Sequence, residues 1–158
     1  GWRLLSDELT LISLETGQDM GLARPVNLKN ASIDIIRAYA PDAFLTRPVH
    51  DTTKGTVALM APTAASVEAV DAPATPTWMI LPRYRAGTDA TLTPMGSGNA
   101  FLQIADNAMN YHILGDRGFA AVGRMVDSCQ SFGFEYSRLD DAIAVFDRLA
   151  AEAESAAR

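Results

Sequence analysis

Two adjacent carboxylates, Asp7 and Glu8, are the residues of this chain whose types and spacing best suit chemistry. They follow a short apolar run at residues 2–5, which reads as a strand. A carboxylate pair at the end of a strand can accept the proton of a hydroxyl nucleophile and hold a magnesium ion, and phosphoryl transfer needs both. The sequence therefore predicts Asp7 and Glu8 as catalytic residues. A polar hairpin turn is the alternative interpretation.

Such a pair normally works opposite a phosphate-binding loop of the type GxxxxGK[ST], and none occurs in these 158 residues. The nearest glycine-rich segment, residues 96–99, has no lysine at the required position. We therefore expect the chain to be the later part of a nucleotide-binding domain whose loop precedes Gly1. We also expect this polypeptide alone not to bind ATP tightly, because the amides and lysine that would hold its phosphates are missing.

Composition limits the class of protein. A chain of 158 residues with 48% hydrophobic and 20% charged side chains suits one globular domain, residues 1–158. A net charge of −6 argues against nucleic-acid binding. No apolar run approaches the roughly 20 residues that cross a bilayer. The single cysteine, Cys129, cannot form an internal disulfide and is predicted to be buried. These features together predict a cytoplasmic protein.

The pattern of elements predicts a mixed α/β fold with strands early and helices late. Strands are predicted at residues 2–5, 9–14, 55–60 and 77–81, with Asp7 and Glu8 at the bend of a hairpin between the first two. Helices are predicted at residues 32–39, 99–112 and 119–129 and from residue 137 onward. Residues 61–76 carry three prolines and are predicted to be an irregular surface connection.

Local signals predict where two of these helices begin and end. Ser32 is the predicted N-cap of the first helix, and Pro41 ends it. Ser137 is the predicted N-cap of the last helix, whose tail from residue 151 is expected to fray.

Two separated segments resemble one family of kinases. Residues 1–8 resemble the segment G-x-R-L-V-A-D-D of bacterial HPr kinase/phosphorylases, with Glu8 in place of the second aspartate. Residues 99–111 resemble that family's G-R-N and the apolar helix that follows it and ends in A-M-N-Y, and the spacing agrees without a gap. Residues 24–32 and 51–58 resemble the subgroup called HprK-related kinase A, so the resemblance covers essentially the whole chain.

The resemblance implies an ATP-dependent kinase with a P-loop fold related to phosphoenolpyruvate carboxykinase, here without its N-terminal Walker A segment. Such an enzyme would use ATP and Mg²⁺ to phosphorylate a hydroxyl of a protein or a small molecule. Asp7 would be the base that accepts the hydroxyl proton, and Glu8 would help to hold the metal ion. The assembly of HPr kinases also implies a homo-oligomer.

The departures from the family bear on the metal and the substrate. Where HPr kinases carry E-I-R-G-L-G-I, residues 27–33 read N-L-K-N-A-S-I. An amide, Asn27, therefore replaces an acidic metal contact, and Lys29 replaces an arginine. Glu8 and Asn27 are the predicted metal ligands. HPr itself is not assumed to be the substrate. The alternative is an inactive nucleotide-sensing or protein-interaction module with the same fold.

Four basic side chains are predicted to contact the cofactor phosphates. Lys29 lies beside Asn30, and Lys54 lies in a segment of hydroxyls and a glycine that suits an anion-binding loop. Arg83 and Arg85 flank Tyr84 after an apolar strand. Solvated lysines and an ordinary charged strand exit are the alternatives.

Overall fold

The computed structural model describes residues 2–156, and these form two compact units that meet in sequence between Thr75 and Pro76. Gly1, which begins the family-like segment, and residues 157–158 of the predicted frayed tail lie outside the described residues. Both units combine helices with small sheets, so the predicted mixed α/β class is confirmed. The organisation of residues 1–158 as a single domain stays a prediction.

The first unit contains a two-stranded hairpin, a three-stranded sheet and two helices. Its elements are β1 (Leu11–Ile12), β2 (Asp19–Met20), β3 (Val26–Lys29), α1 (Ala31–Tyr39), β4 (Val49–Thr52), β5 (Gly55–Met60) and α2 (Ala64–Glu68). Strands β1 and β2 pair antiparallel, and the larger sheet is antiparallel in the order β3-β5-β4. The strand predicted at residues 55–60 is confirmed as β5. Because β5 is central, β3 and β4 are edge strands.

The core of the first unit forms between this sheet and α1. Side chains alternate between the two faces of a strand, and Leu28 of β3 and its cross-strand partner Ala58 are both buried. Ile33 of α1 packs onto them, and Ile36 lies at the edge of the same cluster. Neighbours of Leu28 in sequence, Asn27 and Lys29, therefore share the opposite face of β3.

The predicted start of α1 is wrong by one residue, although its end before Pro41 is confirmed. The helix begins at Ala31 and follows Asn30, whose φ is +49°. Ser32 is thus inside the first turn, where its hydroxyl accepts a hydrogen bond from the Lys29 N–H (2.8 Å) and donates one to the Lys29 carbonyl (2.7 Å). The serine stabilises the junction between strand and helix instead of occupying the cap.

The first predicted N-terminal strand is wrong, and the second is shorter than predicted. Residues 2–5 belong to no strand, β1 is limited to Leu11–Ile12, and the hairpin turns at residues 14–16 instead of at Asp7 and Glu8. Isolated contacts replace a strand ladder here, because the Leu4 N–H donates to Ser66 Oγ (3.1 Å) and the Leu5 carbonyl accepts from the Leu22 N–H (2.7 Å).

Ser66 lies on α2, inside the segment that was predicted to be irregular. Thr63 caps this short helix, since its hydroxyl accepts a hydrogen bond from the Ser66 N–H (3.2 Å). Ser66 is only 2% exposed and also bonds the Thr63 hydroxyl (2.9 Å). The segment expected to be a loop therefore contains a short helix. Its buried Ser66 hydroxyl accepts the Leu4 N–H and so holds the N-terminal residues in place.

Gly55, the first residue of β5, is required for two reasons. Its φ is +82°, which favours glycine, and an added Cβ would collide with Asn30 Oδ1. That Oδ1 atom accepts the Thr56 N–H at 3.1 Å. Gly17 has a similar φ of +72° with open space around it.

We expect Gly55→Ala to destabilise the protein by about 2 kcal/mol or more, since it combines backbone strain with the loss of the Asn30 hydrogen bond. Gly17→Ala, which adds strain alone, is expected to cost about 1 kcal/mol. Urea unfolding of both variants measures the difference. Equal losses would show that the contact with Asn30 contributes nothing.

The second unit contains a three-stranded sheet and four helices. Its elements are β6 (Trp78–Tyr84), β7 (Thr91–Pro94), α3 (Ser97–Asn107), α4 (Tyr111–Leu114), α5 (Asp116–Ser128), β8 (Gln130–Tyr136) and α6 (Leu139–Ala156). The sheet order is β6-β8-β7, in which β8 runs parallel to β6 and antiparallel to β7. The parallel pair is connected through α3, α4 and α5, because such a pair needs a long crossover.

Two hydrophobic clusters stabilise the second unit. One contains Met79, Ala100, Val122 and Val126, and Cys129 packs against it while partly exposed. Burial raises the pKa of the Cys129 thiol, and a hydrogen bond with the Ser128 hydroxyl opposes this. The other cluster joins Phe134 of β8 to Ala142 and Val145 of α6.

Two helix predictions for this unit are corrected. The helix predicted through residue 112 ends at Asn107, and Met109, expected on its apolar face, is 75% exposed in the connection to α4. Ser137 does not cap α6, because its hydroxyl donates to the Thr88 carbonyl (2.7 Å). Helix α6 continues to Ala156, so the described part of the tail is helical.

Candidate functional site

The first unit brings three of the predicted site residues to one pocket. Asp7, Glu8 and Asn27 line a cavity of about 240 Å³ whose walls also include Arg24. The remaining lining residues are mostly apolar: Ser6, Leu9, Leu22, Pro25 and Leu59. The predicted catalytic pair and the predicted metal ligand Asn27 thus lie together, although they are far apart in sequence.

Contacts on both sides of the pair hold it in place. Arg3 Nη1 donates to the Ala69 carbonyl (2.7 Å), which adds to the bond between Leu4 and Ser66 on α2. After Ser6 the chain bends, and the Ser6 hydroxyl accepts the Leu9 N–H at 3.3 Å. Asp7 and Glu8 are the two residues inside this bend, so both carboxylates are exposed at the mouth of the pocket.

Asp7 also contacts the open edge of the sheet. Its Oδ2 accepts a hydrogen bond from the Asn27 N–H at 2.9 Å. In β3 the Asn30 N–H pairs with the Thr56 carbonyl of β5, so the N–H groups of Asn27 and Lys29 face outward. Side-chain oxygens of Asp7 and Ser32 satisfy these two donors. The hydrogen bond from the Asn27 N–H fixes Oδ2 of Asp7 and leaves the other carboxylate oxygen for a ligand.

Asn27 carries a polar atom that the fold does not satisfy. Its Oδ1 is buried and has no hydrogen-bond partner. A buried acceptor without a partner costs free energy, so a cation or a donor at this position would be favourable.

The pocket contains oxygen atoms of the kind that magnesium prefers as ligands. Among residues 2–156 no three His, Cys, Asp or Glu side chains form a group that could hold a metal. The set here is instead two carboxylates, Asp7 and Glu8, with the amide oxygen of Asn27. Magnesium suits such oxygen ligands, because it commonly binds one or two carboxylates and takes its other ligands from water and phosphate.

Arg24 was not predicted as a site residue. It precedes Pro25 and β3, and its side chain lines the same cavity as the carboxylates. The only sequence signal was its position three residues before Asn27 in a segment that resembles the kinase subgroup.

The two predicted phosphate-binding lysines lie elsewhere in the first unit. Lys29 is exposed at the end of β3, on the same face as Asn27 and about 7 Å further along the strand. Lys54 is in the turn between β4 and β5, where the Thr52 hydroxyl accepts its N–H (3.1 Å) and donates to the Gly55 carbonyl (2.6 Å). Neither lysine lines the pocket of Asp7. Their contact with phosphate stays a prediction.

A second cavity, of about 280 Å³, lies beside the start of α1. Its walls include Asn30, Asp34 and His50, and His50 Nδ1 lies 3.1 Å from Thr56 Oγ1. Neither Lys29 nor Lys54 lines this cavity.

Arg83 and Arg85 belong to the second unit, at the end of β6 and just beyond it. Arg85 Nη1 forms an exposed ion pair with Glu135 Oε2 at 3.4 Å, and its N–H donates to the Tyr136 carbonyl (2.9 Å). For Arg85 these contacts favour the alternative to phosphate binding, namely an ordinary charged residue at the end of a strand. Binding of a cofactor by the two arginines stays a prediction.

Asp19 lies outside the pocket. Among the carboxyl groups of residues 2–156, it is the one whose pKa is clearly shifted. Its backbone exchanges two hydrogen bonds with Ala74, and its buried Oδ1 has no partner. Burial raises the pKa of Asp19, and the backbone N–H groups of Leu11 and Met20 oppose the rise. The folded state therefore binds the proton of this carboxyl more tightly than the unfolded state does.

This preference predicts how stability depends on pH. The contribution of Asp19 to folding stability is complete at a pH below its pKa in the unfolded state, about 4. This contribution is lost as the pH rises through the higher pKa of the folded state. We expect Asp19→Asn, which cannot ionise, to be more stable than wild type near pH 7 and to lose this advantage as the pH falls. Urea unfolding from pH 3 to 7 tests this. A wild-type pH dependence in the variant would contradict the prediction.

Comparisons of this chain with models of protein families, with curated proteins and with solved structures give no match. Within residues 2–156, no helix is long and apolar enough to cross a membrane.

Proposed function

We propose that this chain belongs to a magnesium-dependent phosphotransferase related to the HPr kinases, with a P-loop fold of the phosphoenolpyruvate carboxykinase type. The substrate is a hydroxyl group of a protein or a small molecule. The observation that carries the proposal is that Asp7, Glu8 and Asn27 line one pocket, with Asp7 bonded to the Asn27 N–H at 2.9 Å. Assembly as a homo-oligomer in the cytoplasm is part of the same proposal.

Asp7 is the proposed base. The Asn27 N–H fixes Oδ2, so the second carboxylate oxygen can accept the proton of the attacking hydroxyl. The leucines at positions 9, 22 and 59 form an apolar part of the pocket wall.

Glu8 and Asn27 are the proposed metal ligands, and Asn27 Oδ1 is the buried acceptor that a cation would satisfy. Magnesium, when bound, neutralises charge that develops on the transferred phosphoryl group. The residues of this chain do not by themselves fit the triphosphate of ATP, since its 158 residues contain no GxxxxGK[ST] segment.

An inactive nucleotide-sensing or protein-interaction module is the second candidate. It is favoured by the amide at position 27, where the resembling kinases have a carboxylate. With only Asp7 and Glu8 as charged ligands, magnesium would bind more weakly than in a site with three carboxylates.

One experiment separates these candidates. The gene is read upstream of the codon for Gly1, and the encoded protein is assayed for magnesium-dependent binding and hydrolysis of ATP. A GxxxxGK[ST] segment directly upstream together with hydrolysis is the expected result. Binding without hydrolysis would favour the sensing module, and no binding would overturn both nucleotide-dependent functions.

A further inference from the structure

A proline faces the open edge of strand β6 in the second unit. In the order β6-β8-β7, one side of β6 has no neighbouring strand among residues 2–156. Two hydrogen bonds with β8 fix the orientation of β6, because the Gln130 N–H donates to the Thr77 carbonyl (3.0 Å) and the Arg85 N–H donates to the Tyr136 carbonyl (2.9 Å). Alternate residues of a strand face its partner, so the residues that face the open edge are Trp78, Ile80, Pro82 and Tyr84.

The other outward positions of β6 carry donors without acceptors. The N–H groups of Trp78, Ile80 and Tyr84 form no hydrogen bond with an acceptor among residues 2–156. The edge strand β3 of the first unit differs, because side-chain oxygens of Asp7 and Ser32 accept its outward N–H groups. The edge of β6 has no such cover within residues 2–156, and Pro82 interrupts it instead.

The opposite edge of the same sheet has the same feature. The Met95 N–H donates to the Ser131 carbonyl (2.8 Å), and β7 is antiparallel to β8 with Pro94 opposite Phe132. The backbone of Leu92 and Pro94 therefore faces outward. Both prolines lie where the missing N–H costs no hydrogen bond within the sheet, which is where a strand tolerates proline.

We infer that Pro82 closes the edge of β6 to pairing with a second copy of this chain. The adjacent residues 78–81, W-M-I-L, are uncharged and include types that favour strands, and such a segment on an open edge pairs readily with its own copies. The inference does not rest on the proposed phosphotransferase. A homo-oligomer of this chain would use a surface other than this edge.

The symmetry of a dimer makes Pro82 effective. Two copies of β6 that are related by a two-fold axis pair antiparallel. With the two Ile80 residues opposite each other, Trp78 of one copy lies opposite Pro82 of the other. The Trp78 carbonyl then meets the proline ring instead of an N–H donor, and symmetry repeats this loss at the other end of the pair. A shift by two residues only moves the loss, because Pro82 then lies opposite Ile80 or Pro76.

The test compares the self-association of Pro82→Val, Pro41→Val and wild type in the 158-residue chain by sedimentation equilibrium. Valine restores the N–H and suits a strand. Pro41→Val makes the same change at an exposed residue outside the sheets. We expect Pro82→Val to dimerise about tenfold or more tightly than wild type, because a hydrogen bond is restored at each end of the pair. Pro41→Val is expected to match wild type. Equal association of Pro82→Val and wild type would overturn the inference.

Amide hydrogen exchange identifies the surface that the dimer uses. In Pro82→Val the Ile80 amide is expected to exchange about tenfold or more slowly than in wild type, because it pairs with the second copy. Association without slower exchange at Ile80 would contradict the inference, since another surface would then form the dimer.

Wild type provides a measurement that depends on no variant. The Ile80 amide is expected to exchange faster than the amides of Met79 and Leu81, which face β8. Equal protection of the three amides would show that the edge of β6 is already covered, and the inference would fail.

Discussion

Replacing Asp7 with asparagine is expected to lower phosphoryl transfer about 10²- to 10⁴-fold, the usual contribution of a positioned general base. The amide retains an oxygen that can accept the Asn27 N–H, so the bend and the edge of β3 are expected to persist. What the variant loses is the basic oxygen that takes the hydroxyl proton. The measurement is the single-turnover rate of the magnesium-dependent reaction in the protein that the gene encodes.

Asp42→Asn is the matched control, because it makes the same chemical change at an exposed residue of the same unit outside the pocket. Its rate is expected to equal that of wild type. Wild-type turnover in Asp7→Asn would exclude Asp7 as the base and leave it the structural role of satisfying Asn27.

The largest expected effect on stability is at Phe134. This side chain is 2% exposed on the central strand β8, stacks on Tyr136 with ring centres 5.2 Å apart, and contacts Phe146 at 5.1 Å. We expect Phe134→Ala to cost about 3–5 kcal/mol, because it removes a buried ring and leaves a cavity against Ala142 and Val145. Urea unfolding, followed by the loss of helix signal, measures it.

Ile113→Ala is the control within the second unit, since Ile113 is 75% exposed on α4. Its substitution is expected to change the free energy of unfolding by no more than about 0.5 kcal/mol. Phe134→Leu, which fills part of the cavity, should fall between the two. A loss below about 1 kcal/mol in Phe134→Ala would mean that β8 and α6 repack around the missing ring.

Features that depend only on neighbouring residues were predictable from the amino-acid sequence alone. Strand β5 and the end of α1 before Pro41 were predictable, because β-branched and apolar runs and proline act within a few residues of the chain. The adjacency of Asp7 and Glu8 is likewise a property of the sequence. The order of predicted strands and helices indicated the mixed α/β class, which the two units confirm.

The tertiary structure decided the features that depend on distant partners. Residues 2–5 form no strand because their backbone groups find partners on α2 and at Leu22 instead of on a neighbouring strand. The predicted hairpin at Asp7 was therefore wrong, although the carboxylates remained together. The long helix predicted from residue 99 ends at Asn107 because the chain turns there into α4, where Phe101 and Tyr111 pack edge to face.

The pocket itself also depends on tertiary structure. Nothing in the sequence places Asp7 Oδ2 at 2.9 Å from the Asn27 N–H. This contact forms because β3 is an edge strand, and its outward N–H groups need acceptors that the fold brings from elsewhere in the chain. The local sequence supplies the chemical groups, and the unpaired edge of the sheet determines which of them come into contact.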